Sequence, residues 1–134
     1  MLIVEDNPLL LRSLESNVQS IDPRARVTGA GSLEDAERAL AEGPTPDRIL
    51  LDLGLPDAFG FEALQRLRTA VPDAAIAVVS GYSDIETMRA CFTEGATGYI
   101  EKSRDPERTL SALRRFLRLG HFIPSEVATA ASGR

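Results

Sequence analysis

Short, mostly apolar runs recur along the chain at residues 2–5, 25–30, 48–52, 75–80 and 98–101. Between them the apolar positions take up a helical spacing. Leu10, Leu14 and Val18 fall four apart; Phe61, Leu64, Leu67 and Val71 share one side; Ile85, Met88 and Phe92 share another; and so do Leu110, Leu113 and Leu117. A short apolar run bounded by turn residues reads as a buried strand, and a spacing of three to four reads as one helix face. The alternation predicts repeated βα units, with the strands buried on both faces of a parallel sheet. The helical stripes are read as core, the commoner fate of such spacing than a binding surface.

The punctuation agrees with this pattern. Asn7 is placed to cap a helix over residues 8–20, with Pro8 in the first turn, where its missing N–H costs nothing. Ser32 is placed to cap a helix over 33–42, with Asp35 three residues on and Gly43-Pro44 as the stop. The apolar face of that helix is thin. A third helix, over 59–70, ends before Pro72, a fourth follows Ser83, and a fifth follows Asp105-Pro106. Beyond Leu119 the periodicity stops. Gly120, Pro124 and the small residues from Ala128 to Gly133 predict a linker or disordered tail over 120–134, after a single domain over 1–119. No internal repeat is evident.

A chain of 134 residues can bury a core without disulfide or metal staples. Its 43% hydrophobic and 26% charged residues are those of a globular protein, and no apolar run approaches the ~18 residues of a membrane span. The start, Met1 to Asp6, has neither the basic nor the apolar region of an export signal, so no membrane association and a cytoplasmic location are expected. Cys91 is the single cysteine, which leaves no internal disulfide. The net charge of -5 speaks against this segment binding nucleic acid, so DNA recognition would need another domain. His121 is the single histidine, so no histidine cluster can hold zinc, and a Ser-His-Asp hydrolase would depend on one tail residue.

The candidate chemistry lies where the apolar runs end. Glu5 with Asp6, Asp52 and Ser80 stand at or beside the carboxyl ends of the first, third and fourth runs. An open α/β sheet binds ligands beyond the carboxyl ends of its strands. If the first and third strands are neighbours, Asp6 and Asp52 converge, and such a pair repels unless a cation sits between. Carboxylate oxygens without His or Cys nearby select Mg²⁺, which takes one or two protein carboxylates plus phosphate oxygens. Asp52 closes the run Ile49-Leu50-Leu51, where an unpaired charge would be costly without a function. Glu5-Asp6 taken alone also reads as a solvated loop start, Ser80 as a strand end that satisfies backbone groups, and Tyr99 as a packed strand aromatic.

Four segments in order, Val4-Glu5-Asp6, Asp52-Leu53-Gly54-Leu55-Pro56-Asp57 followed by Gly60, Val78-Val79-Ser80, and Tyr99-Ile100-Glu101-Lys102, resemble the response regulator receiver domain of two-component signalling. The resemblance covers nearly the whole chain. It implies an α/β fold, a doubly wound five-stranded parallel sheet in the flavodoxin-like order 2-1-3-4-5 with helices on both faces. It implies that Asp52 accepts a phosphoryl group from a sensor histidine kinase, with Mg²⁺ held by Asp6, Asp52 and the carbonyl of Gly54 and assisted by Glu5. Lys102 and Ser80 would meet the phosphoryl oxygens. Ser80 and Tyr99 would form the switch, changing an output face on helix 4, strand 5 and helix 5, with homodimerisation on phosphorylation as one outcome. Catalysis would be limited to the domain's own phosphorylation and dephosphorylation.

The sequence departs from the family at Ser103, where most members have proline, which leaves the Lys102–Ser103 peptide isomer open. Gly54 and Tyr82 would border the path of the hydrolytic water. Lysine followed by serine, and the segment Gly120 to Val127, are similar to regulators in which a helix-turn-helix DNA-binding domain follows the receiver. Arg114, Arg115 and Arg118 read as a solvated basic face or a dimer contact. Three rivals fare worse. A phosphatase of the haloacid dehalogenase type wants a second Asp where Gly54 stands. A dinucleotide fingerprint starting at Gly29-Ala30-Gly31 has Glu34 in place of its third glycine. A phosphorylation-independent interaction module leaves a full acceptor set without purpose.

Overall fold

The computed structural model describes residues 1–81 and 84–132. Tyr82, Ser83, Gly133 and Arg134 lie outside these, and so does the expectation that Tyr82 borders the water path. Strands β1 (Leu2–Val4), β2 (Thr28–Ala30), β3 (Arg48–Leu51), β4 (Ala75–Ser80) and β5 (Gly98–Glu101) form one parallel sheet in the order β2-β1-β3-β4-β5. Helices α1 (Pro8–Ile21), α2 (Leu33–Glu42), α3 (Glu62–Ala70), α4 (Ile85–Thr93) and α5 (Pro106–Leu119) connect the strands and follow the last one. The expected α/β architecture and strand order are present.

The pleat sorts successive side chains to opposite faces. Leu2, Val4, Ile49, Leu51, Ile76, Val78 and Tyr99 join α2, α3 and α4 in one core cluster. Ile3, Leu50, Ala77, Val79 and Ile100 join α1 and α5 in the other. Burying each of the larger aliphatic side chains stabilises by roughly 1.5–3 kcal/mol, which is why the strand runs are apolar on both faces. Gly98 is where α5 approaches the sheet: an added Cβ would lie 3.1 Å from a Phe116 ring carbon and 3.2 Å from Ala77 Cβ.

The caps are as read. Asn7 Oδ1 accepts from the Leu9 and Leu10 amides, and Ser32 Oγ accepts from the Asp35 amide. Three details differ. Leu10 is 38% exposed, because the buried stripe of α1 runs through Leu14 and Val18 with Leu11 beside it. Helix α3 begins at Glu62 instead of 59, since Gly60 takes a left-handed φ of 57° that interrupts helical geometry. β2 spans three residues instead of six, with Ala25 and Val27 packing on the α1/α5 side outside the ladder.

The expected linker or disordered tail is corrected over its described part. Gly120 ends α5 with φ 81°, Phe122 bridges to Gly98, and a further helix, α6 (Ser125–Ser132), follows. The absence of helical spacing hid this segment, since two buried residues, Pro124 and Val127, are enough to dock it. Among the described residues, no helix is long and apolar enough to cross a membrane.

Candidate functional site

Strand register assembles the site. Val4 pairs with Leu51 and Ser80 with Glu101, so Glu5, Asp52, Ser80 and Lys102 all lie at the carboxyl edge of the sheet. The ladder carries on one step past the strand ends. The Glu5 amide donates to Ala30 O, the Asp52 amide to Val4 O and the Lys102 amide to Ser80 O, at 2.9, 2.9 and 2.7 Å. The backbone that carries the charged side chains is therefore fixed by sheet hydrogen bonds rather than by loops.

Carboxylate oxygens of Glu5, Asp6 and Asp52 lie within 4.8 Å of one another. They come from two adjacent strands and from chain positions some 46 residues apart, so the convergence expected of Asp6 and Asp52 is present. Glu5 is 1% exposed, Asp52 19% and Lys102 28%, which grades the site from a buried floor to an open rim. Lys102 Nζ stands 3.2 Å from Glu5 Oε1 and 3.9 Å from Asp52 Oδ2. The Asn7 amide donates to Glu5 Oε2 at 3.1 Å, and the Gly54 amide donates to Asp52 Oδ1 at 3.0 Å.

Burial pushes the Glu5 carboxyl above its ordinary range. The Asn7 amide and the Lys102 ammonium pull the other way, and the neighbouring Asp52 carboxylate adds to the rise. Three carboxylates against one ammonium leave the pocket short of positive charge. The donor set is all oxygen, with no His or Cys among the three, which suits a hard divalent cation such as Mg²⁺.

Gly54 lines the open side. A Cβ there would stand 3.6 Å from Asp52 Oδ1 and 3.8 Å from Oδ2, so glycine leaves the Asp52 carboxylate uncovered on this side. Ser80 and Tyr99 occupy the next two strands. Tyr99 is fully buried, which holds its hydroxyl above its ordinary pKa, and a hydrogen bond with Ser80 opposes that rise. The Lys102–Ser103 peptide is trans. Its loop is held by Thr109 Oγ1, which accepts from the Ser103 amide, and by Ser103 Oγ, which accepts from the Asp105 amide.

One residue of the site's frame had no assigned role in the sequence. Asp57 Oδ1 and Oδ2 accept from the Leu33 and Glu34 amides, both at 2.9 Å. The loop that follows Asp52 thus caps the N-terminus of α2, and these bonds hold the Asp57 carboxyl below its ordinary value. No local signal marks this contact, because its partners are 23 and 24 residues away.

Residues 1–114 match the response regulator receiver domain family. The chain is 33% identical over 129 residues to the nitrate/nitrite response regulator protein NarL of Escherichia coli strain K12, covering 96% of this chain and 59% of that one. It is 36% identical over 120 residues to the transcriptional regulatory protein KdpE of Mycobacterium tuberculosis strain H37Rv, covering 88% and 50%. The chain thus spans between half and two thirds of these relatives. Among solved structures, a LuxR family DNA-binding response regulator from Silicibacter pomeroyi superposes with a TM-score of 0.76 at 31% identity, covering 94% of this chain and 96% of that one. With a family match over most of its length and an acidic pocket at the carboxyl edge of the sheet, the chain belongs to the response regulator receiver domains, whose function is phosphorylation-based switching.

Proposed function

We propose that Asp52 is the phosphoryl acceptor of this receiver, that Glu5, Asp6, Asp52 and the Gly54 carbonyl hold Mg²⁺, and that the donor is a phosphohistidine of a sensor kinase. The single observation that carries this reading is the convergence of the Glu5, Asp6 and Asp52 carboxylates beside the Lys102 ammonium. An Asp52 oxygen attacks phosphorus, the P–N bond to the donor imidazole breaks, and the imidazole nitrogen takes up a proton as it leaves. Mg²⁺ bound at these oxygens supplies charge neutralisation between the two anions that must meet.

The protein's own residues do the rest. The Gly54 amide, 3.0 Å from Asp52 Oδ1, steadies the attacking carboxylate, and the missing side chain leaves the incoming group room. Lys102 is close enough to swing from Glu5 towards a phosphoryl oxygen as a point charge. Ser80 donates to another phosphoryl oxygen. Its move is coupled to Tyr99, and the face of α4, β5 and α5 carries the output, with homodimerisation as one consequence. The domain catalyses its own phosphorylation and dephosphorylation and turns over no other substrate. A cytoplasmic location fits a kinase partner, and a DNA-binding domain following in the whole protein fits the relatives.

The test uses phosphoramidate, whose P–N bond stands in for phosphohistidine, with Mg²⁺ and intact-mass detection. Wild type is expected to gain one phosphoryl group, Asp52→Asn none, and Lys102→Ala to gain it at least tenfold more slowly. A wild-type rate retained by Asp52→Asn would remove the assignment.

A further inference from the structure

The loop from Asp52 to Phe61 carries the Asp52 carboxylate at its start and the Gly54 carbonyl two residues on, so its shape sets the geometry of the pocket. Two glycines leave it free to bend, Gly54 without a Cβ and Gly60 at a left-handed φ of 57°. The sheet holds only its first residue, through the Asp52 amide on Val4 O. Further on, Leu55 and Ala58 are buried in the core cluster that also holds Leu33 of α2 and Leu64 of α3. Between them Asp57 is exposed, and its two carboxylate oxygens take the Leu33 and Glu34 amides, both at 2.9 Å.

The first amides of a helix find no partner within it. In α2, Ser32 Oγ accepts from the Asp35 amide at 3.1 Å and leaves those of Leu33 and Glu34 to Asp57. The acceptor loop therefore completes the end of a helix 23 and 24 residues away in the chain. A carboxylate on helix N-terminal amides makes the stronger, charge-assisted kind of hydrogen bond. Asp57 is not one of the three carboxylates that gather in the pocket, so its charge serves α2 instead of an ion. α2 in turn is seated on the sheet by the buried Leu33 and Ala36, which makes it a firm anchor for the loop.

We propose that Asp57 is a positioning residue for the metal site: by tying the acceptor loop to the N-terminus of α2, it holds the Gly54 carbonyl where Mg²⁺ shared by Asp6 and Asp52 can use it. The inference rests on the metal reading above and adds a residue that touches neither the ion nor the phosphoryl group. Groups that orient metal ligands from outside the coordination shell are worth about 10–100-fold in affinity. Coupling is reciprocal, so bound Mg²⁺ tightens the brace by the factor by which the brace tightens Mg²⁺ binding.

The experiment is Mg²⁺ titration of the whole chain followed by amide NMR, with hydrogen exchange measured without Mg²⁺ and at saturation, on wild type, Asp57→Asn and Asp57→Ala. Asp57 is exposed, so neither substitution opens a cavity, and each protein is studied well below its melting temperature. Shifts of the Asp6, Asp52 and Gly54 amides report the ion. Both variants are expected to bind Mg²⁺ about tenfold more weakly than wild type. In wild type, Mg²⁺ is expected to slow exchange of the Leu33 and Glu34 amides about tenfold, and to leave the Asp35 amide, capped within its own turn, unchanged. A mere helix cap would lower stability without moving either quantity. Variants that bind Mg²⁺ as tightly as wild type overturn the positioning role alone. So do Leu33 and Glu34 amides that are indifferent to Mg²⁺ in wild type, or slowed no more than Asp35. Absence of any Mg²⁺-dependent shift at Asp6, Asp52 and Gly54 in wild type overturns the metal reading, and the positioning role with it.

Discussion

Glu5 carries a carboxylate that is 1% exposed, with the Asp52 carboxylate as a neighbour and Lys102 as its one cationic contact among the described residues. Its folded pKa is raised, so the proton is held more tightly folded than unfolded. Its contribution to stability is therefore full below the ordinary value and is lost as pH rises through the raised one. At neutral pH the ionised group opposes folding. Glu5→Gln is thus expected to raise the melting temperature of the metal-free protein by a few degrees while weakening Mg²⁺ binding, as read by calorimetry. A fall in melting temperature with Mg²⁺ binding unchanged would mean that Glu5 serves the fold rather than the pocket. Asp6 and Asp52 were legible in the sequence because each follows an apolar run, where the passage from apolar to polar marks a strand end, whereas Lys102 was singled out by the family resemblance. Asp57 was not legible as a brace, since its bonds to Leu33 and Glu34 depend on how two loops lie together in space.

At the scale of elements, two braces hold the loops around the sheet, and both can be removed by one substitution. Arg68, near the end of α3, donates to Gly95 O at 2.6 Å and to the carbonyls of Pro72 and Ala74 at 3.0 and 2.6 Å. It ties α3 to the turn before β5. Arg68→Ala leaves those carbonyls without this donor and is expected to cost about 1–3 kcal/mol in urea unfolding, with the phosphorylation rate little changed. A loss below the error of that measurement would show that water replaces the guanidinium. Asp57 gives a pH signature. Its folded pKa lies below the ordinary 3.8, so its contribution is present above that value and lost as pH falls through the depressed one. Asp57→Asn is expected to be less stable than wild type at pH 7, and the two melting temperatures to converge as pH falls through that window. A gap independent of pH would mean that packing, and not the charge at the α2 N-terminus, is what Asp57 supplies. The helices themselves were readable from their caps, Asn7 and Ser32. The start of α3 was not, because Phe59 and Phe61 extend the apolar pattern through a turn that Gly60 forces.

For the molecule as a whole, the period of the apolar positions announced a buried parallel sheet, and the strand order followed from the resemblance carried by the residues at the strand ends. The tail escaped because Phe122 docks by backbone hydrogen bonds, which any sequence can make, and Val127 by a single side chain. The central claim is electrostatic: carboxylates from neighbouring strands share a divalent ion and thereby admit a further anion at Asp52. The most direct measurement is peptide-mapped mass spectrometry after acetyl phosphate treatment, with Mg²⁺ or with EDTA. One phosphoryl group on the peptide containing Asp52, formed with Mg²⁺ and lost with EDTA, is the result expected. An adduct of equal yield in EDTA, or one mapped to a peptide without Asp52, would contradict it.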